Sequence, residues 1–153
     1  MRGARIELDG SIEEKGGQQF VSGQGLFSDK YTRVHRIEPH GFMSNPIKGA
    51  KALLVAPTGR PDHAFVLGGE HPTHRPAGLP AGASAIYDSG GNIIRLVGDG
   101  IVVDVAGRSI TITAGTWTLT GNATINGDLE VNGNIHATGS IIDEGGNTNH
   151  HSH

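Results

Sequence analysis

Six glycines recur at intervals of six residues: Gly115, Gly121, Gly127, Gly133, Gly139 and Gly145. Cut at these positions, the chain reads GTWTLT, GNATIN, GDLEVN, GNIHAT and GSIIDE. The third residue of every unit is apolar (Trp117, Ala123, Leu129, Ile135, Ile141), and in four of the five units so is the fifth (Leu119, Ile125, Val131, Ala137). Side chains alternate along a strand, so third and fifth positions share one face. Thr, Asn, Asp and Glu fill the other face. Each unit is therefore expected to be a short strand with one dry face, and glycine supplies the turn. Ile101, Val103 and Val105, then Ile110 and Ile112, carry the same habit upstream. A repeat of this kind builds a fibre or a solenoid.

Two solenoids compete. The single-chain left-handed β-helix of hexapeptide acyltransferases usually has an aliphatic residue just before the glycine, where this chain has Ala114, Thr120, Asn126, Asn132 and Thr138. At about three units per coil this stretch would make only about two coils, a small core to stand alone. An intertwined β-helix of three chains fits better. Each copy supplies one side of a triangular prism, the dry faces meet inside, and no chain closes its own coil.

Composition supports assembly. Aromatics are only 5% of the 153 residues, and 25 residues are Gly. Few aromatics make a thin core and many glycines raise the entropy cost of ordering. With no Cys, disulfides, thiolate nucleophiles and Cys-ligated zinc are excluded, and other copies of the chain are the expected support. The net charge of −3 gives no electrostatic grip on nucleic acid or an anionic membrane. The start, MRGARIELDG, lacks the apolar core of a signal peptide, and no apolar run near ALLVA is long enough to span a bilayer. The expectation is a soluble chain made in a cytoplasm.

Residues 1–70 read as a small β domain. Short apolar runs (QQFVSGQGLF, RVHRIEPHGFM, AKALLVAPTG, HAFVLGG) are parted by turn signals at Gly16-Gly17, Pro39, Asn45-Pro46 and Thr58-Gly59. No segment keeps a helical period, so a small barrel or sandwich is expected. Residues 71–90 hold Pro72, Pro76 and Pro80 among Gly and Ala, and read as a connector, since Pro removes ladder donors. Residues 91–153 form the repeat half.

RIEPHGFMSNPIKGAKALLVAPTGRPDHAFVLGG, followed by HRPAGLPAGASAIYDSGGNIIRLVGDG, resembles the Mu-type phage baseplate assembly proteins, the central spikes of contractile tails. The Gly41-Phe42 pair, RPDHAFVLGG and GASAIYDSGGN carry the likeness together. The resemblance implies an all-β homotrimer with an N-terminal OB-fold-like barrel and a C-terminal triple-stranded β-helix tapering to a point. It implies a place in the virion at the baseplate tip, where the barrel docks to tail hub proteins, the spike caps the tail tube and the point pierces the host outer membrane on contraction. It also implies iron at the tip, held by a His-x-His that His151-Ser152-His153 matches.

His151 and His153 lie two apart, so an extended strand points both to one side, about 7 Å apart. Three chains around an axis would offer six imidazoles, a set that suits an octahedral transition metal better than zinc. His150 points the other way and is expected to be a solvated or hydrogen-bonded neighbour. A purification tag and a frayed tail are the plainer readings of these histidines. His35, His40, His63, His71, His74 and His136 show no metal-like spacing and read as structural or solvated. Asp99, Asp104 and Asp128 could form acidic rings by symmetry and hold Ca²⁺, against the simpler reading of exposed carboxylates.

Three functions compete: a mechanical spike, an enzyme (acyltransferase or cell-wall hydrolase), and a nucleic-acid-binding OB-fold. No acid–base pair, nucleophile motif or phosphate loop supports catalysis, so no enzyme is expected. Phe20, Phe27, Tyr31, Phe42 and Phe65 supply aromatics to the first domain, but its mixed charge argues against a nucleic-acid groove.

Overall fold

The structure is a computed structural model of the chain and describes residues 2–142. The chain divides into two compact units, Met1–Thr111 and Ile112–His153. The architecture is all-β: among the described residues the only helical turn is a short 3₁₀ segment, Pro61–His63.

Five strands close a barrel: β1 (Arg2–Lys15), β2 (Gln18–Gln24), β3 (Lys30–Arg36), β4 (Lys51–Ala56) and β5 (Phe65–Glu70). Their order is β1-β2-β3-β5-β4, with β1 pairing back onto β4. All pairs are antiparallel except β3 with β5. This is the five-stranded barrel class to which OB-folds belong. Alternation drives it: β2 buries Gln19, Val21 and Gly23, and β4 buries Ala52, Leu54 and Ala56.

Strand β1 is long because it serves both sides of the barrel. Arg2 to Glu7 pair with β4, and Glu7 to Lys15 pair with β2. Between Leu8 and Ile12 the register shifts, and Gly10 there has a φ of 91° that only glycine adopts freely. Opposite, Gly23 is crowded: a Cβ on it would lie 2.5 Å from the Glu7 carbonyl oxygen. The core is Ile6, Leu8, Val21, Val34, Leu54 and Val66 with Ala50, Ala52, Ala56 and Ala64. No aromatic residue is among its fully buried members, in keeping with the sparse aromatics of the sequence.

The first unit continues into a three-stranded antiparallel meander: β6 (Ser84–Tyr87), β7 (Ile93–Val97) and β8 (Gly100–Asp104). Asp88 closes the β6–β7 turn, accepting from the Gly90 and Asn92 amides at 2.8 and 3.0 Å and from Asn92 Nδ2 at 2.7 Å. Those three donors favour the charged carboxylate and hold it below the usual Asp range. Register aligns Ile86 with Ile94 and Val103, and Leu96 with Ile101, on one face. All five are exposed.

In the second unit, residues 112–142 carry no strand in the single chain. Trp117, Leu129 and Ile135, from the dry face of the hexads, are 72, 66 and 66% exposed.

Candidate functional site

Two chemistries converge in the first unit: a buried polar clamp and several uncovered apolar surfaces. The clamp centres on Arg36 at the end of β3, whose side chain is only 7% exposed. Its Nε donates to the Gly68 carbonyl at 2.7 Å, and Nη1 donates to Gln19 Oε1 at 2.8 Å and to the Ser44 carbonyl at 3.1 Å. Nη2 donates to Ser44 Oγ at 2.9 Å. The charge is met by Glu38, 2.8 Å from Nη1. Glu38 in turn accepts from the Ser44 amide and hydroxyl at 3.0 and 2.9 Å. Gln19 Nε2 donates to the Ser44 carbonyl and to Asn45 Oδ1. One guanidinium thus ties β2, β3, β5 and the β3–β4 loop together, with every contact satisfied, as a buried charge requires. Phe42 and Met43, in the loop that this clamp holds, are 61 and 78% exposed.

A second group lies across three strands. The His35 ring sits between Phe20 and Phe65, at centroid distances of 5.6 and 5.9 Å. Arg33 stacks over Phe20 at 4.9 Å, while its guanidinium forks onto Glu13 at 2.7 and 3.2 Å. That pairing lowers Glu13 and raises Arg33 from their ordinary pKa ranges. Glu7 is likewise lowered, chiefly by its bond to Lys51. The cation nearest the aromatics is therefore already neutralised. Of the remaining aromatics, Tyr31 packs against the core and Phe27 is exposed in the β2–β3 loop.

Of the other described histidines, His63, His71 and His74 make local contacts. His71 lies 3.2 Å from the Lys48 carbonyl through Nε2 and takes the Thr73 amide on Nδ1. His74 packs edge-on against it at 4.7 Å and reaches the Ser89 carbonyl at 3.2 Å. His63 approaches the Thr58 hydroxyl, and His40 and His136 are exposed. Asp99 occupies the two-residue turn between β7 and β8, Asp104 caps the Ala106 amide, and Asp128 is exposed. Among the described residues no three His, Asp or Glu gather as a metal site. His150, His151 and His153 lie outside the described residues. No helix among the described residues is long and apolar enough to cross a membrane.

Sequence reasoning missed the Arg36 clamp, and the only local signal was the short spacing of Arg36, Glu38 and Ser44. It also passed over the Leu26-Phe27 loop tip, legible as an apolar pair inside a Gly- and Ser-flanked turn.

Residues 10–73, most of the barrel, match the family described as Bacteriophage Mu Gp45, N-terminal. The chain is also similar to the baseplate puncturing device gp45 of Escherichia phage Mu, with 32% identity over 106 residues, 64% of this chain and 54% of the relative. It thus spans about half the length of that relative. The barrel carries the fold and the likeness together: it is over residues 10–73 that this chain is similar to the Mu Gp45 N-terminal family.

Proposed function

We propose that this chain is the central spike of a contractile phage-type tail, a homotrimer at the baseplate tip of the virion that punctures the host outer membrane by force. The observation that carries this reading is the 106-residue similarity to a baseplate puncturing device. Exposure supports the trimer. The Ile86, Ile94, Leu96, Ile101 and Val103 face and the hexad residues are apolar and uncovered in one chain. A strand needs a neighbour for its backbone groups, and in an intertwined β-helix that neighbour comes from another copy. The barrel docks to hub proteins, the repeat forms the shaft, and the 71–90 stretch connects them. The spike is not a catalyst.

At the tip, His151 and His153 from each copy hold one iron per trimer. The donor set fits, because imidazole nitrogen suits iron and other transition metals. A bound metal would clamp three chain ends. His150 and the acidic residues Asp99, Asp104 and Asp128 are not assigned to iron, and Ca²⁺ at those carboxylates has no support beyond symmetry.

Native mass with elemental analysis on one sample tests this reading. The expected result is a trimer with about one iron, which persists at neutral pH and is lost in moderate acid as protons compete for imidazole. His151→Ala and His153→Ala each empty the site and leave the trimer intact, while His150→Ala retains the metal. Metal kept in the His153→Ala trimer would contradict the assignment. Peptidoglycan hydrolysis, or spontaneous partition into neutral liposomes, would contradict a purely mechanical action.

A further inference from the structure

Leu26 and Phe27 are 86 and 89% exposed, the two most exposed large apolar side chains among the described residues. They are the tip of the β2–β3 hairpin. The turn is closed by the Gly25 amide donating to the Asp29 carbonyl at 2.8 Å. Ser28 holds a left-handed φ of 63°, and a Cβ on Gly25 would touch the Tyr31 ring at 3.4 Å. The tip is thus a braced projection, and the carboxylate of Asp29 at its base has no ion-pair partner among the described residues.

A complementary cavity exists in the same unit. The connector and one face of the β6–β8 sheet enclose about 440 Å³. Pro76, Leu79, Pro80, Ile93, Arg95 and Val97 are among the residues that line it. Arg95 is unpaired by any carboxylate among the described residues, and its Nε is buried without a hydrogen-bond partner. With no carboxylate beside it, the Arg95 guanidinium leaves this apolar wall positively charged, which suits an incoming acidic group. The volume is of the size that accepts a small apolar group, about 300–1,000 Å³.

We propose that the Leu26-Phe27 tip of one copy seats in this cavity of the next copy, with Asp29 facing Arg95. The proposal rests on the trimer reading and adds to it a second contact, between first units. It matches an apolar finger that carries an acid to an apolar cavity that carries a base. The contact is head-to-tail, because finger and cavity are different surfaces, and a head-to-tail contact closes into a ring when the rotation allows. A trimeric spike supplies such a rotation.

The chain has no Cys, so paired cysteines test the contact cleanly in the full-length protein. A Phe27→Cys/Leu79→Cys double variant, oxidised and run under denaturing, non-reducing conditions, is expected to give species of two and three chains. Neither single variant should do so. Adding Arg95→Glu should slow the linking roughly fivefold, as losing a partly exposed ion pair would. Asp29→Arg together with Arg95→Glu should restore it. A protein of trimeric native mass whose double variant stays unlinked, or links only within one chain, overturns the docking and leaves the trimer standing. A monomeric native mass overturns both. Linking that ignores both charge changes overturns the Asp29–Arg95 pairing.

Discussion

Arg36 shows how one side chain decides a local fold. Its guanidinium meets Gln19, Glu38, Ser44 and the Gly68 carbonyl, and each would lose a partner if it were removed. Arg36→Ala should therefore destabilise the barrel by roughly 3 kcal/mol, as breaking a buried pair generally does. Arg36→Lys should recover only part of this, because an ammonium cannot reproduce the fork. Urea unfolding of both variants checks the order. The exposed carboxylates make a different prediction. Glu7, Glu13 and Asp88 all have pKa values lowered in the fold, by Lys51, Arg33 and the Asn92 turn in that order. A lowered folded pKa gives stability that is present above the unfolded value and lost as pH falls through the folded one. Thermal stability should thus begin to drop below about pH 4.3, the ordinary Glu range, and continue downward. Asp88→Asn should flatten the lower part of that drop in a pH series of melting temperatures.

At the scale of elements, β1 and its crossing with β2 set the barrel. A Cβ on Gly23 would lie 2.5 Å from the Glu7 carbonyl oxygen and 3.3 Å from Leu8 Cα, both backbone atoms that cannot swing aside. Gly23→Ala should therefore unpair β1 from β2 and lower the melting temperature sharply. Gly3→Ala, whose Cβ would meet its nearest atoms at an ordinary 3.8 Å, should stay within about 0.5 kcal/mol of the parent. Circular dichroism melts of the two variants separate crowding from the general effect of losing a glycine. What the sequence made legible follows the same line. The runs around Val21, Leu54 and Val66 became β2, β4 and β5 because short-range alternation is visible in one strand at a time. The all-β character and the first-half barrel were readable for that reason. Strand β1 was not, since its apolar pair Ile6 and Leu8 sits among charges and the register then shifts before Ile12. The Arg36 clamp was largely hidden, because its Gln19 and Gly68 partners lie 17 and 32 positions away and only barrel closure brings them to it. The hexads were legible as a one-sided pattern, and among the described residues nothing in the single chain covers that side.

At the scale of the whole molecule, the balance of covered and uncovered apolar surface points to assembly. A barrel core with four alanines among its ten residues is modest, whereas Trp117, Leu119, Ile125, Leu129 and Ile135 stand open to solvent in one chain. Burying such side chains contributes about 1.5–3 kcal/mol each, and three copies would bury three sets. Leu129→Asp would place three unpaired charges near a shared axis and should abolish assembly. The most direct test is the native mass of the full chain at micromolar concentration, measured beside Leu129→Asp. The account predicts three times the 15.9 kDa chain mass for the parent and a single chain mass for the variant. A parent protein that runs as a 15.9 kDa monomer would contradict it.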